Sequence, residues 1–440
     1  MTLKTEAVQG QVSGPSNLAG AVITSKDDAG RSVDVSRGII ELRYYESILQ
    51  DGVHATFSFV DAGNSIDNKT VMEGLPLTGS EFFTVKMIDN INNELKQTFV
   101  VKNPKPITDN NNKTIVFLPL VSEAFAKNDN LTIFDRFDGK ISDHVKTMIS
   151  DEKYLGSNKT LDIEETSNTL SEFGYRRKAY YLINELSKKG VPAGGEGKTA
   201  GYFFFETAES MIFKSIDSLF DEEKNPRKLS IIYNESFSRN SRIPAGYDTK
   251  ALTFDRDVTD SIERNKMGAN SSGAITFNPF TFVFERKIMS IIDGLGVIIE
   301  PLTTAGKALP KFNQSLIKEF GRTTLSIFDT GTYSRELDQA FEENFDINEI
   351  KNQSFTRYNQ VFTTKINITI DGNFSLHAGD MVYFDAPSPQ RDTRNDEVDR
   401  QSGGLYIIAS LCHYITSKRT LTKLCLIRDS FGRKGNHTKR

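Results

Sequence analysis

The sequence predicts an α+β chain that is mainly β: two antiparallel β-modules, each a barrel or sandwich, with an α/β region between them. Three observations carry that expectation. Towards the C-terminus, Asn367–Asp385, Gly404–Ile415 and Leu421–Ser430 either alternate apolar with polar residues or run continuously apolar and β-branched. Gly, Asp and Ser bound these runs, which is the pattern of antiparallel strands joined by turns. Towards the N-terminus, Ile40, Leu42 and Tyr44, then Val53, Ala55, Phe57 and Phe59, repeat at period two. Between the two regions, Ile141, Val145, Met148 and Ile149 fall at i, i+4, i+7 and i+8, one face of an α-helix.

A chain of 440 residues has room for roughly three domains of about 150 residues each. Residues 1–35 carry Gln, Gly, Ser, Asp and Pro with little periodicity, and read as a flexible arm or a segment that orders on a partner. Residues 36–125 make the first module. Its opening hairpin is expected to turn at Gln50-Asp-Gly52, because Asp-Gly favours positive φ. Strands at Phe82–Ile88, Thr98–Lys102 and Thr114–Val121 follow, separated by loops such as Asp109–Asn112.

Residues 126–225 form a helical, α+β insert. After the Ile141 helix, a second helix is expected from Leu170 to Lys189, with Thr169-Leu-Ser-Glu172 as its capping box and Lys188-Lys-Gly190 as its end. Tyr202–Glu206 reads as a strand; Met211–Ile216 fits either a strand paired with it or the start of a helix. Residues 226–290 are expected to add strands to the second module, at Leu229–Tyr233 and Gly273–Glu285. Residues 291–348 read as an irregular insert. A helix at Ile350–Phe362 leads into the second module, residues 349–432, and 433–440 is a basic tail.

The two β-regions echo each other. Leu77–Val85, Gln97–Lys102 and Lys113–Ser122 match His377–Phe384, Gly404–Ile408 and Leu421–Ser430 in order and strand length, at low identity. Short strands resemble one another by chance, so the pattern alone leaves duplication and coincidence both open. With two copies of one module per chain, a trimer would build a closed ring of six quasi-equivalent modules.

Chemistry is conspicuous by its absence. His54, His144, His377, His413 and His437 are scattered, and there is no His-Glu-x-x-His, no Cys-x-x-Cys and no Gly-x-Ser-x-Gly. No metal, cofactor or catalytic residue is therefore expected. Gly194-Gly-Glu-Gly-Lys-Thr199 comes nearest to a phosphate loop. It has Pro192 where the first Gly of that motif belongs, and a helix precedes it while a strand follows, the reverse of what phosphate cradling needs. The 58 acidic side chains include no recognisable glycosidase pair, and the Phe and Tyr fall in strand patterns, as core residues do.

A net charge of −4 without a basic block gives no footprint for nucleic-acid binding. No run reaches the ~18–20 apolar residues that a membrane-spanning helix needs. The first residues lack the apolar core of a secretory signal, so a soluble, cytoplasmically made protein is expected. In that setting Cys412 and Cys425 are expected as free, buried thiols.

The block Asn367-Ile-Thr-Ile-Asp-Gly-Asn-Phe-Ser-Leu-His-Ala-Gly-Asp-Met-Val382, followed by Gly404–Ile408 and Leu424–Ser430, resembles the end of the baseplate hub protein of T-even-like contractile-tailed phages. Arg37–Ser47 looks like the opening hub strand, Tyr202–Leu219 is similar to a central hairpin, and Arg256–Phe284 resembles the segment before the second module. The N-terminal arm and the loop Ala386–Gly403 depart from that pattern. The resemblance implies two tail-tube-like modules per chain and a pseudo-sixfold homotrimer in the virion tail baseplate, assembled in the host cytoplasm. Such a trimer adapts the six-fold tail tube to the three-fold central spike and leaves a channel for DNA. Its partners would be the spike, the tube or its initiator, and other baseplate proteins. DNA would pass without specific binding, and nothing would insert into a membrane. The resemblance also favours a strand at Met211–Ile216. The equivalent hub of a secretion system or a phage tail-like particle shares the module. A tail-borne cell-wall hydrolase and an ATPase built on Lys198 are the enzymatic rivals.

Overall fold

The computed structural model describes residues 17–25, 31–61, 63, 66, 68–108, 114–194, 199–233, 242–257, 261–279, 281–290, 297–298, 304–305, 322–327, 347–386 and 402–430. Outside these lie the first half of the expected arm, the loop 109–112, Gly195–Lys198 of the Gly-rich loop, most of 291–348, and the basic tail.

The first module contains β1 (Asn17–Thr24), β2 (Ser32–Asp34), β3 (Ile39–Ser47), β4 (His54–Asp61), the short helix α1 (Val71–Gly74), β5 (Phe82–Ile88), β6 (Glu94–Val101), β7 (Lys105–Thr108) and β8 (Thr114–Ser122). Antiparallel ladders run in the order β1-β5-β6-β8-β4-β3, with β2 beside β1 and β7 beside β8. β1 and β2 correct the expectation of a flexible arm over 1–35. β1 pairs with β5 from Asn17↔Ile88 to Thr24↔Phe82, and its Ala21 and Ile23 enter the core. Two inward apolar residues on one short strand do not stand out from a Gly- and Ser-rich background. The β3–β4 hairpin forms as expected, but Gly52 does not take positive φ. Glycine is required there by space, since a Cβ would lie 2.8 Å from Phe125 Cδ2.

The insert follows with α2 (Glu123–Asn130), β9 (Arg136–Phe137), α3 (Ile141–Ser150), β10 (Thr160–Ile163), β11 (Glu172–Phe173), α4 (Ala179–Ser187), β12 (Tyr202–Glu206), β13 (Ser210–Ser215) and α5 (Ile216–Phe220). α3 buries Ile141, Val145, Met148 and Ile149, as its periodicity requires. The helix expected from Leu170 starts only at Ala179. Glu172, its expected capping residue, pairs instead with Phe137 in the β9–β11 ladder and accepts a 2.7 Å bond from Lys189 Nζ. Tyr175 and Arg176, with φ of 44° and 58°, exclude a helix between the two. The alternatives at Met211–Ile216 resolve in sequence: β13 pairs with β12 from Glu206↔Met211 to Tyr202↔Ser215, and α5 begins at Ile216.

The remaining elements are β14 (Leu229–Ile232), β15 (Thr249–Asp257), α6 (Ser261–Lys266), β16 (Ser271–Asn278), β17 (Val283–Ser290), β18 (Val297–Ile298), β19 (Arg322–Ile327), α7 (Ile347–Val361), β20 (Thr364–Asp371), β21 (Met381–Asp385), β22 (Gly404–Thr416) and β23 (Thr420–Arg428). β14, β15, β20, β23, β22 and β21 close on themselves as a six-stranded barrel. The expected all-antiparallel module needs one correction, because β14 runs parallel to both its neighbours. The assignment of 226–290 to this module needs another. β16 and β17 belong to a separate sheet with β18 and β19, which packs against α7. The single strand expected at Gly273–Glu285 is a hairpin: the Asn278 carbonyl and Oδ1 accept from the Phe282 and Thr281 N–H groups, and Phe282 has a φ of 57°. Apolar alternation runs on through this turn, so period two does not mark it. β19 lies inside the segment expected to be irregular.

Numbered along the chain, six strands of each module take the same spatial order, first-fourth-fifth-sixth-third-second. β1, β3, β4, β5, β6 and β8 correspond to β14, β15, β20, β21, β22 and β23. The strands that echo in sequence are thus the strands that correspond in space, which favours duplication over coincidence. One hydrophobic core runs through both modules, from Phe57 and Phe83 to Ile368 and Leu426.

Candidate functional site

The two modules meet edge to edge along β3 and β22. β22 is 13 residues long, more than its own barrel uses on that side. Gly404–Ile407 pair with β21, and Ser410–Thr416 offer the same edge to β3, from Ser47↔Ser410 to Glu41↔Thr416. The ladder makes one continuous sheet of both modules. Its inward face carries Leu42, Tyr44 and Glu46 opposite Leu411, His413 and Ile415.

Glu46 is fully buried and joins three segments. Its Oε1 accepts from Tyr44 OH at 2.6 Å, from the Ala208 N–H at 2.8 Å in the β12–β13 turn, and sits 3.1 Å from His377 Nδ1. Its Oε2 accepts from the Ala378 N–H at 2.9 Å. Burial pushes the Glu46 carboxyl up, but the facing His377 and the donated hydrogen bonds outweigh it and hold the carboxyl below its ordinary value. The reverse holds for His377: burial pushes it down, and Glu46 holds it above its ordinary value. Beside this pair, His413 stacks on Tyr44 at 5.7 Å and places Nδ1 3.0 Å from Thr422 Oγ1. Burial depresses His413 to about 4, so it is neutral at physiological pH.

Two further polar clusters fasten the insert. Glu206 accepts from the Val53 N–H at 3.0 Å and from Ser122 Oγ, and pairs with Lys159 Nζ at 2.9 Å, tying β12 to the first module. Arg357 on α7 reaches Asp217 on α5 at 2.8 Å and Asp429, just past β23, at 2.7 Å, with all three side chains buried. Close by, Gly379 has a φ of 86°, and a Cβ on it would lie 2.6 Å from Phe205 Cζ. Gly379→Ala is therefore expected to lower the unfolding free energy by about 1–3 kcal/mol, read from the urea midpoint at unchanged slope.

The opposite face of the junction is polar and holds a shallow concavity of about 540 Å³. Tyr45, Cys412, Lys423, Thr369 and Thr253 form one row across five strands. Arg43 and Lys423 lie over the Tyr414 ring at 5.5 and 5.6 Å. Cys412 and Cys425 share this face on adjacent strands, offset in register, and both are part-buried thiols outside any disulfide. Among the described residues no group of His, Cys, Asp and Glu is placed to hold a metal ion. His54 packs on Phe125 and His144 on Phe137; His437 and Lys198 lie outside the described residues.

Glu46 and His413 were within reach of the sequence. Each is a polar residue at an inward position of an apolar alternation, Leu42-x-Tyr44-x-Glu46 and Leu411-x-His413-x-Ile415. Arg357 has no such signal, because its partners lie 140 and 72 residues away.

No protein-family model matches the chain, and a search of the curated proteins finds no match. Among solved structures, the tail protein from Neisseria meningitidis MC58 is similar at 9% identity and a TM-score of 0.54, over 93% of this chain and 96% of that one. The 43 kDa tail protein of prophage MuSo2 from Shewanella oneidensis is similar at 10% identity and a TM-score of 0.50, over 93% of this chain and 98% of that one. At these identities the likeness is one of fold: this chain has the fold of phage tail proteins.

Proposed function

We propose that the chain is a structural protein of the tail baseplate, its hub, and that three copies form a ring of six modules. The ring would match a six-fold tail tube on one face to a three-fold spike on the other and leave a central channel for DNA. The observation that carries this reading is the repeated strand order of the two modules. A chain that contains the same unit twice presents six-fold geometry with three-fold composition. The tail-protein fold supports it. In the proposed role binding arises from extended subunit interfaces, and no catalytic group is called upon. Binding to spike, tube and other baseplate proteins, and a place in the virion after assembly in the host cytoplasm, belong to the same proposal. A mildly acidic chain suits a channel that passes DNA without retaining it.

Mass photometry and electron microscopy of the purified protein test the reading. A trimer with a central hole is expected. A particle that stays monomeric at high concentration, alone and with the spike protein, overturns it.

A further inference from the structure

β3 of the first module pairs on one side with β4 and on the other with the second half of β22. The counterpart of β3 is β15, which pairs on one side with β20. On the other side, among the described residues, only Thr249 and Lys250 are paired, with β14.

The counterpart of β22 is β6 continued by β7. β22 lies along β23, as β6 and β7 together lie along β8. The first half of β22 lies on β21, as β6 lies on β5. The second half of β22 carries β3. β7 stands in that place, with β8 on one side and, among the described residues, no strand on the other.

We infer that the ring closes by β15 of one copy meeting β7 of the next, in the arrangement by which β3 meets β22 within the chain; this rests on the trimeric reading above. Such a contact is heterologous, and it closes when its rotation repeats that of the in-chain junction. The side chains agree with it. Lys105 and Ile107 of β7 are opposite Phe117 and Ile115, on the face away from the buried Val116 and Leu118. Ile107 is 57% exposed, a large apolar side chain on an edge strand. Thr253 and Asp255 line the polar face of β15, so Lys105 meets an acidic partner on the same face. Pro106 supplies no N–H, which weakens the edge against indiscriminate strand addition and shortens the ladder that does form.

The test is disulfide trapping in the full chain with Cys412 and Cys425 replaced by serine. Ile107→Cys is combined with Thr253→Cys or with Asp255→Cys, which allows for a shift in register, and mild oxidant is added. A non-reducing gel is expected to show a ladder ending at the covalent trimer, and no ladder for any single-cysteine variant. Trimers that remain uncrosslinked in both double variants overturn this inference and leave the hub reading standing. Monomers throughout, with circular dichroism unchanged, overturn both.

Discussion

Arg357→Met lowers the unfolding free energy by about 3–5 kcal/mol. The guanidinium is fully buried and donates through Nε and Nη2 to Asp217 Oδ1 at 3.1 and 2.8 Å, and through Nη1 to Asp429 Oδ2 at 2.7 Å. Methionine fills much of the same volume, so a cavity contributes little. What remains is two buried carboxylates without their shared cation. Asp429 Oδ1 keeps the Ala305 N–H at 3.0 Å and the Ser430 hydroxyl at 3.1 Å, which are dipoles against a whole charge. Arg357→Lys keeps the charge but cannot reproduce the fork, so an intermediate loss is expected. Urea titration at unchanged slope measures both. A loss under about 1 kcal/mol for the methionine variant would mean that α7 is not held at this point.

The cluster also shows where sequence reading stops. Alternation and turn chemistry are local, so most strands of both modules were legible, but β1, β2, β7 and β15 were not. α3 was legible for the same reason, since Ile141, Val145, Met148 and Ile149 sit within one short window. α7 was legible as a helix but not as a buried one. Its inward residues include Asn352, Gln353, Thr356, Arg357 and Gln360, and their partners come from remote segments. The misplaced start of α4 has a related cause. Glu172 satisfies the local rule for a cap, and the long-range Phe137 pairing and Lys189 ion pair outcompete it. β1 needs β5 to be a strand at all. Long-range pairing, more than propensity, decided each element that the sequence concealed.

Glu46→Ala costs about 3–5 kcal/mol, since it strips acceptors from the Ala208 and Ala378 N–H groups and the Tyr44 hydroxyl and takes from His377 the strongest of its counter-charges. Glu46→Gln separates charge from hydrogen bonding, and its signature lies in the pH dependence. The folded value of His377 is raised, so its contribution is fully present below its ordinary value of 6.5 and disappears as pH rises through the raised value. That of Glu46 is lowered, so its contribution is present above its ordinary value of 4.5 and disappears as pH falls through the lowered value. The difference in stability between the native protein and Glu46→Gln is therefore largest between those two ordinary values and shrinks towards alkaline pH. His413 acts in the opposite sense. Held down to about 4, it makes the native protein less stable as pH falls from 6.5. The Glu46 charge holds it up slightly, so Glu46→Gln lowers it further, but His413 stays neutral in both folded proteins above about pH 5 and adds little to the difference there. Urea titrations from about pH 5 to about pH 8 measure that difference. A flat difference would reduce Glu46 to an acceptor of backbone hydrogen bonds. A difference that peaks on the acid side makes the Glu46–His377 pair a charged tie between the first module and the turn before β21, holding the two modules in the fixed relation that the proposed ring requires.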